Sequence, residues 1–346
     1  MTGRSIRVLI VDDSAFARKV LREVLSSDPQ LEVVGAAHDG LDALEKIERL
    51  DPDVVALDLL MPSLDGLGVL HALAGRSRPR CVVVSTSDEQ SALVAEALEA
   101  GAVDMVHKPT ALATSRLYEL STELVEKVKV AATARAPSQL PPPPSPGALR
   151  AVAVRPSSKV QLVVIGASTG GPQALTGLLA ALPAHFPVPL AVVLHMPVGY
   201  TFALSERLNG SSAISVMEAH DGLALRPGAA IIARGGVHMK IGGSPSSAHV
   251  RLDIAPLDTL HRPAVDVLFR TAAQVYGPHV LGVVLTGMGD DGVEGSRAVR
   301  SVGGSVITQD ERSCVVYGMP RAVVAAGLSE ASVPLEGMAT AILQAL

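Results

Sequence analysis

Leu162-Val163-Val164-Ile165-Gly166-Ala167-Ser168-Thr169-Gly170-Gly171-Pro172 is the stretch on which the reading of the second half of this chain turns. An apolar, β-branched run passes through a glycine-rich turn into a stretch of helical character, so Ser168 sits on a strand-to-helix elbow. A sharp turn holds its hydroxyl clear of the backbone, flanking glycines leave room for an approaching carbonyl, and the helix start offers N–H groups to a developing oxyanion. That describes a nucleophile. A strand followed by a glycine-rich turn and a helix equally describes a phosphate-cradling loop, or a plain tight turn. All three readings are compatible with this motif alone.

Two later apolar runs end in complementary groups. Val192-Val193-Leu194 delivers His195-Met196-Pro197, and Val283-Val284-Leu285 delivers Thr286-Gly287-Met288-Gly289-Asp290-Asp291-Gly292. In an open parallel sheet the carboxyl ends of the strands face one crevice, so Ser, His and Asp at three strand ends can meet despite their separation in sequence. A lone His after a strand is ordinarily a core or rim residue, and Asp-Gly is ordinarily a turn. The constellation carries more weight than its members.

With these residues in view, the second half resembles the catalytic domain of bacterial chemotaxis response regulators that are protein-glutamate methylesterases and also deamidate receptor glutamines. The matching stretches are Ile165-Gly-Ala-Ser-Thr-Gly-Gly171, His195-Met-Pro197, His261-Arg-Pro-Ala-Val-Asp-Val-Leu-Phe269, Leu285-Thr-Gly-Met-Gly-Asp-Asp-Gly292 and Val315-Val-Tyr-Gly-Met-Pro320. The order Ser, His, Asp differs from the Ser, Asp, His order of α/β-hydrolases and disfavours that fold. The resemblance implies a doubly wound, mostly parallel, Rossmann-like catalytic domain over residues 160–346. It makes Ser168 the nucleophile, His195 the general base and Asp291 the group that orients the imidazole. Asp291 is chosen over Asp290 because the family's aspartate directly precedes the glycine of its motif. The Met288 N–H is placed near the oxyanion, with Thr169 beside the nucleophile. In the implied reaction Ser168 attacks the γ-carbonyl of a methylated glutamate, methanol leaves, and water releases free glutamate, with no metal in that step.

Two positions depart from the family pattern. Leu194 stands where a glutamine commonly precedes the histidine, and Arg234 stands where a proline is usual, so substrate docking is where a difference is expected. His238, His261, Asp266 and Tyr317 fall in family-like stretches, where lining the crevice and a structural role are equal readings. His220 does not match the family's histidine and reads as a loop residue.

The first half carries a different pattern. Ile6-Arg-Val-Leu-Ile-Val11 is a short strand ending in Asp12-Asp13, and Asp53-Val-Val-Ala-Leu57 is another ending in Asp58. Three carboxylates at strand ends suit a hard cation such as Mg²⁺, which binds through one or two carboxylates plus a phosphate. Cys81-Val-Val-Val84 leads to Ser85, and Met105-Val106 leads to His107-Lys108-Pro109, which adds a hydroxyl and an ammonium to the same edge. The alternative for Asp12 and Asp13 is acid favourable to the dipole of the following helix. The segment resembles the receiver domains of two-component signalling. The resemblance implies a flavodoxin-like fold with a five-stranded parallel sheet over 1–130. Asp58 would accept a phosphoryl group from a histidine kinase, and Asp12, Asp13 and Asp58 would hold Mg²⁺. Ser85 would bind a phosphoryl oxygen, Lys108 would pair with the acyl phosphate, and Lys108-Pro109 is a candidate cis bond. Leu60 replaces a polar residue at a position whose backbone carbonyl serves the metal in the family, so metal binding is expected to survive.

Composition fits two soluble α/β domains. The chain has 346 residues, and its short Val/Ile/Leu runs alternate with helical stretches such as Leu41 to Leu50. With no tryptophan and four each of Phe and Tyr, the cores must be aliphatic. No run approaches the roughly 18 to 20 apolar residues of a membrane span. Arg4 and Arg7 bracket a strand rather than a secretory signal, and Cys81 and Cys314, one per half, read as reduced thiols, so a cytoplasmic location is expected. A formal charge of −5 with no basic, aromatic-interleaved surface argues against nucleic acid. Residues 131–159 hold seven of the 24 prolines and few large apolar residues, which reads as an inter-domain linker. Before it, Leu117, Leu120, Leu124 and Val128 lie at helical spacing over 115–130.

The leading reading is therefore a phosphorylation-activated esterase and deamidase acting on methyl-accepting chemotaxis receptors. By family resemblance, the unphosphorylated receiver would pack against the crevice edge holding Ser168, and phosphorylation of Asp58 would weaken that contact. A receiver joined to a nucleotide-binding module, using Gly166 to Gly171, is the alternative from the binding class. A paralogous esterase acting outside chemotaxis is the other.

Overall fold

The computed structural model describes residues 4–85, 91–108, 114–135 and 159–346, with the side chains of 114–121 outside the description. The chain divides into two compact units, Met1–Leu140 and Pro141–Leu346.

In the first unit, strands β1 (Ile6–Val11), β2 (Leu31–Ala37), β3 (Val54–Leu57), β4 (Arg80–Ser85) and β5 (Asp104–His107) alternate with helices α1 (Ala15–Leu25), α2 (Gly40–Leu50), α3 (Gly66–Ala72), α4 (Ser91–Glu99) and α5 (Thr114–Thr133). The sheet order is β2-β1-β3-β4-β5, all parallel, which is the flavodoxin-like arrangement. The residues of β3 and β4 are buried without exception, as a parallel sheet covered on both faces requires. Helices start where side chains accept orphan N–H groups: Ser14 accepts from Ala17, Asp39 from Asp42 and Asp65 from Gly68. Asp12 and Asp13 precede the N-cap Ser14, and no acid lies in the first turn of α1 itself.

The second unit contains β6 (Leu162–Ala167), α6 (Gly171–Ala180), β7 (Leu190–Leu194), α7 (Thr201–Ser211), β8 (Ser215–Glu218), β9 (Ala229–Ile232), β10 (His238–Gly242) and β11 (His249–Asp253). It continues through α8 (Val265–Tyr276), β12 (Val280–Val284), α9 (Val293–Ser301), β13 (Ser305–Gln309), α10 (Met319–Ala325), β14 (Ala331–Val333) and α11 (Leu335–Ala345). Seven strands form one parallel sheet in the order β14-β13-β12-β6-β7-β9-β8, and β10 with β11 forms a separate antiparallel ribbon. The winding reverses between β6 and β12. Such a switch point opens a crevice at the carboxyl ends of the strands, and Ser168 and Asp291 follow these two strands. The described core is aliphatic, with Phe186, Tyr200, Phe269 and Tyr276 its buried aromatic side chains.

Helix α5 continues to Thr133, and Ala131 and Ala134 are buried against the first unit, where Arg80 Nε donates to the Ala134 carbonyl. Leu124 and Val128 face the core as their spacing predicts, while Leu117 and Leu120 lie outside the described side chains. Lys127, on α5, donates to the Met105 carbonyl and pairs with Asp104 at 3.0 Å and Glu123 at 2.9 Å. Burial works against its charge, yet the two carboxylates hold its pKa above that of an ordinary lysine. This knot clamps α5 onto β5, whose far end delivers Lys108. Replacing Lys127 with methionine strands Asp104 in the interior and is expected to destabilise the first unit by about 3 kcal/mol, read from its urea midpoint.

Candidate functional site

The strand ends of the second unit are tied by backbone hydrogen bonds. His195 N donates to Ala167 O at 3.2 Å, Leu285 N to Gly166 O at 2.8 Å, and Ser168 N to Thr286 O at 3.0 Å. Ser168 is therefore held between the loops that follow β7 and β12. Its own N–H is spent on Thr286, so it is not a donor to an oxyanion. Gly170 turns the chain with φ +77° as the N-cap of α6, and Pro172 sits in the helix's first turn.

The glycines of the elbow are approached by protein. A Cβ at Gly166 would meet Val265, one at Gly170 would meet Val315 at 2.6 Å, and one at Gly171 would meet Leu194 at 2.4 Å. In a phosphate cradle these faces would be left to the ligand. Leu194 accordingly packs beneath the elbow, and Arg234 is exposed.

Across the crevice, His195 Nε2 lies 2.8 Å from Asp291 Oδ2. Asp291 also accepts the N–H of Val265 at 2.7 Å and of Asp266 at 2.9 Å, at the start of α8. Burial would raise its pKa, but His195 and these two N–H groups hold it below the ordinary aspartate value. An ionised Asp291 accepts a hydrogen bond from Nε2–H, which leaves the lone pair on Nδ1. Nδ1 is buried and has no hydrogen-bond partner among the described residues. Ser168 is half-buried, and no hydrogen bond joins its Oγ to His195 among the described residues; in unliganded enzymes that bond is often long. Asp290 is exposed, and its carbonyl accepts from Val293 N.

Beside Ser168, Thr286 ties the elbow to the loop that precedes α10. Thr286 Oγ1 donates toward Thr169 O and Val316 O and accepts from Val316 N, while its N–H donates to Gln309 Oε1. This pins the Thr169 and Met288 segments side by side. Thr169 is buried; Met288 is half-buried, and its N–H has no protein acceptor among the described residues.

Two contacts were not legible in the motif. The ring of His261 stacks on that of His195, centroids 3.9 Å apart and planes at 23°. His238 is fully buried, receives the Ala264 N–H on Nδ1 and meets Pro256 O through Nε2, so it anchors the loop that carries His261. Burial, chiefly, holds His238 below the usual imidazole pKa, in keeping with a neutral ring that both donates and accepts. The family-like run His261 to Asp266 flagged these residues without assigning their partners. Tyr317 is half-buried and bridges to Gly287, and His220 is an exposed loop residue.

In the first unit, Lys108 Nζ reaches Asp12 Oδ2 at 2.5 Å and Asp58 Oδ2 at 3.0 Å. One carboxylate oxygen from each of Asp12, Asp13 and Asp58 lies within 4.8 Å of the others. Asp12 and Asp58 are buried, and Asp13 is exposed. Ser85 is buried at the end of β4, and its carbonyl accepts the Lys108 N–H. Asp12 is pushed above the ordinary carboxylate value by burial, against the pull of Lys108. Leu60 turns its side chain to solvent, 53% exposed. The Lys108-Pro109 bond lies outside the described residues.

Comparison with known proteins gives the same division. The CheB methylesterase family model matches residues 163–342, and the response regulator receiver domain model matches residues 8–119. Protein-glutamate methylesterase/protein-glutamine glutaminase 5 of Myxococcus xanthus is 61% identical over 334 residues, 96% of this chain and 96% of its own length. The Thermotoga maritima enzyme named protein-glutamate methylesterase/protein-glutamine glutaminase is 39% identical over 335 residues, again 96% of each. The crystal structure of the Thermotoga maritima CheB methylesterase catalytic domain aligns with a TM-score of 0.52 and 38% identity, covering 54% of this chain and 99% of that one.

Gly287 lies close against Ser168. A Cβ there would stand 2.4 Å from Met319 Sδ, 2.8 Å from Ser168 Cβ and 3.0 Å from Ser168 N. Gly287→Ala is expected to cost about 1–3 kcal/mol of stability and to slow labelling of Ser168 by a serine-directed phosphonate by more than roughly tenfold, measured by thermal melt and by labelling rate.

Proposed function

We propose that this chain, which belongs to the CheB methylesterase family, is a serine hydrolase that removes the methyl group from glutamate methyl esters of methyl-accepting chemotaxis receptors and deamidates their glutamines, under control of its receiver. The observation that carries the chemistry is the 2.8 Å contact of His195 Nε2 with an Asp291 carboxylate fixed by two further N–H groups. It leaves Nδ1 of His195 as the base for Ser168.

Ser168 Oγ bonds to the ester carbonyl carbon while its proton passes to His195 Nδ1. The carbonyl oxygen becomes an oxyanion, and the Met288 N–H, beside Thr169, is the group to meet it. The C–O bond to the methoxy group breaks, His195 returns the proton, and methanol leaves. Water repeats the sequence on the acyl-enzyme and gives glutamic acid and free Ser168; for a glutamine the leaving group is ammonia. An apolar rim supports docking of a protein substrate. Val198, Phe202, Ile254, Leu257 and Leu260 are exposed, Leu260 at 93%, and Leu260 adjoins the His261 that stacks on His195. The protein-filled glycines of the elbow speak against the nucleotide-binding alternative.

For the receiver, a histidine kinase is the phosphodonor and Asp58 the acceptor. Asp12, Asp13 and Asp58 would hold Mg²⁺, and their all-oxygen, closely grouped donors suit that ion. When bound, it offsets the charge of the incoming phosphoryl group. Lys108, already on Asp58, pairs with the acyl phosphate, and Ser85 receives a phosphoryl oxygen. Two buried free thiols, Cys81 and Cys314, agree with a reducing cytoplasm.

Methanol release from methylated receptor membranes tests the reading. A small phosphodonor with Mg²⁺ is expected to raise release in the wild type but not in Asp58→Asn. Ser168→Ala is expected to lose on the order of 10⁴- to 10⁶-fold in either state. Release that persists in Ser168→Ala overturns the assignment. A proton on Asp12 competes with the metal, and burial raises the pH at which that proton binds, so Mg²⁺ affinity is expected to fall on acidification at a higher pH than the ordinary aspartate value of 3.8 would set. Mg²⁺ titrations across pH check this.

A further inference from the structure

Asp266 opens α8, two residues after the ribbon-to-helix loop ends, and its carboxylate faces the start of a different helix. Its Oδ1 accepts the N–H of Gly292, the N-cap of α9, at 2.9 Å and of Gly295, in the first turn of α9, at 2.6 Å. Asp291, directly before Gly292, accepts the N–H groups of Val265 and Asp266 at the start of α8. Each carboxylate thus caps the helix that carries or follows the other. The helices are in close contact at this point: a Cβ on Gly295 would stand 2.6 Å from Phe269 Cβ and 2.9 Å from Asp266 Cα.

We propose that Asp266 is a positioning residue for the hydrolysis, which by gripping Gly292 and Gly295 sets the angle at which Asp291 presents Oδ2 to His195. The proposal rests on the triad reading above. Among the described residues no hydrogen bond joins Asp266 to His195 or Ser168, so it acts through Asp291. Cutting its bonds frees the Asp290 to Gly292 turn, and a displacement of Asp291 carries His195 with it. Ordinary helix capping does not explain the choice of residue, because Ser or Asn caps as well. A carboxylate here is costly. Burial first, and then the Asp291 charge, push Asp266 up to about 6, against the pull of the Gly295 and Gly292 N–H groups and of Arg270 on its own helix. What the charge adds is stiffness, since an ionised acceptor binds N–H about twice as strongly as a neutral one. A fold that keeps an unfavourable charge beside a reaction centre trades stability for geometry there.

The test uses the full chain and a fluorophosphonate probe. The Ser168 Oγ–P bond forms, the P–F bond breaks, fluoride leaves, and the serine proton goes to His195, so the rate reports the triad without receptor docking. Asp266→Ala is expected to slow labelling roughly 10- to 100-fold, and Asp266→Asn, which keeps one acceptor, is expected to recover to within about fivefold of wild type. Methanol release should follow in kcat, with KM within about twofold.

The stability readout separates positioning from scaffolding. A carboxylate whose folded pKa lies above its unfolded value penalises the fold as pH rises through that window, here from 3.8 to about 6. Asp266→Asn should therefore melt no lower than wild type at pH 8 while labelling more slowly, and its relative advantage should fade near pH 4. A residue that only scaffolds loses melting temperature and rate together, and that outcome overturns the proposal even if Asp266→Ala does not fold. Wild-type labelling in Asp266→Ala, with Ser168→Ala inert, overturns the proposal alone. Undiminished labelling in Ser168→Ala overturns the triad reading and this proposal with it.

Discussion

The Asp291 carboxylate is the joint of the second unit. Three N–H donors converge on it: one from the imidazole of His195 and two from the first turn of α8. The side-chain donor comes from the end of β7, the backbone donors come from an element that enters after the antiparallel ribbon, and the carboxylate follows β12. A charge taken out of water is tolerated only when its lone pairs are met, so these segments close together. Asp266 returns the same service to α9, and the crevice floor becomes a network of mutually satisfied charges and helix ends.

Glycine supplies the complementary constraint. At Gly287 the backbone comes within a methyl group of Ser168, and at Gly170 and Gly171 the elbow rests on Val315 and Leu194. A side chain at any of these would part the loops that Thr286 sews together. The cleft therefore combines carboxylates that pull elements in with glycines that let them come close. In the first unit the same sheet logic is run with opposite emphasis. Asp12 and Asp58 crowd at the strand ends around the ammonium of Lys108, with the Asp13 carboxylate beside them.

Much of this was legible in the chain. Parallel strands buried on both faces must be continuous apolar runs, so Val8 to Val11, Val54 to Leu57 and Leu162 to Ile165 announced themselves, as did the polar residues that close such runs. That placed Ser168, His195, Asp291, Asp12, Asp58 and Lys108 at carboxyl edges. The contacts of His261, Asp266 and His238 were not legible. They lie on a loop, a helix start and the first residue of a ribbon strand, where no periodicity reports which way a side chain points, and their partners are 18 to 66 positions away in sequence.

What the sequence determined by itself was element type, the parallel α/β class and the list of candidate groups at the strand ends, because burial on both faces and turn chemistry are local properties. Which nitrogen of His195 faces Asp291, that the Ser168 N–H is consumed by Thr286, and that two carboxylates exchange helix caps were decided only by the tertiary structure. Those are matters of direction between distant segments. Hydrogen bonds fail over tens of degrees and tenths of an ångström, a precision that the spacing of residue types along a chain does not encode.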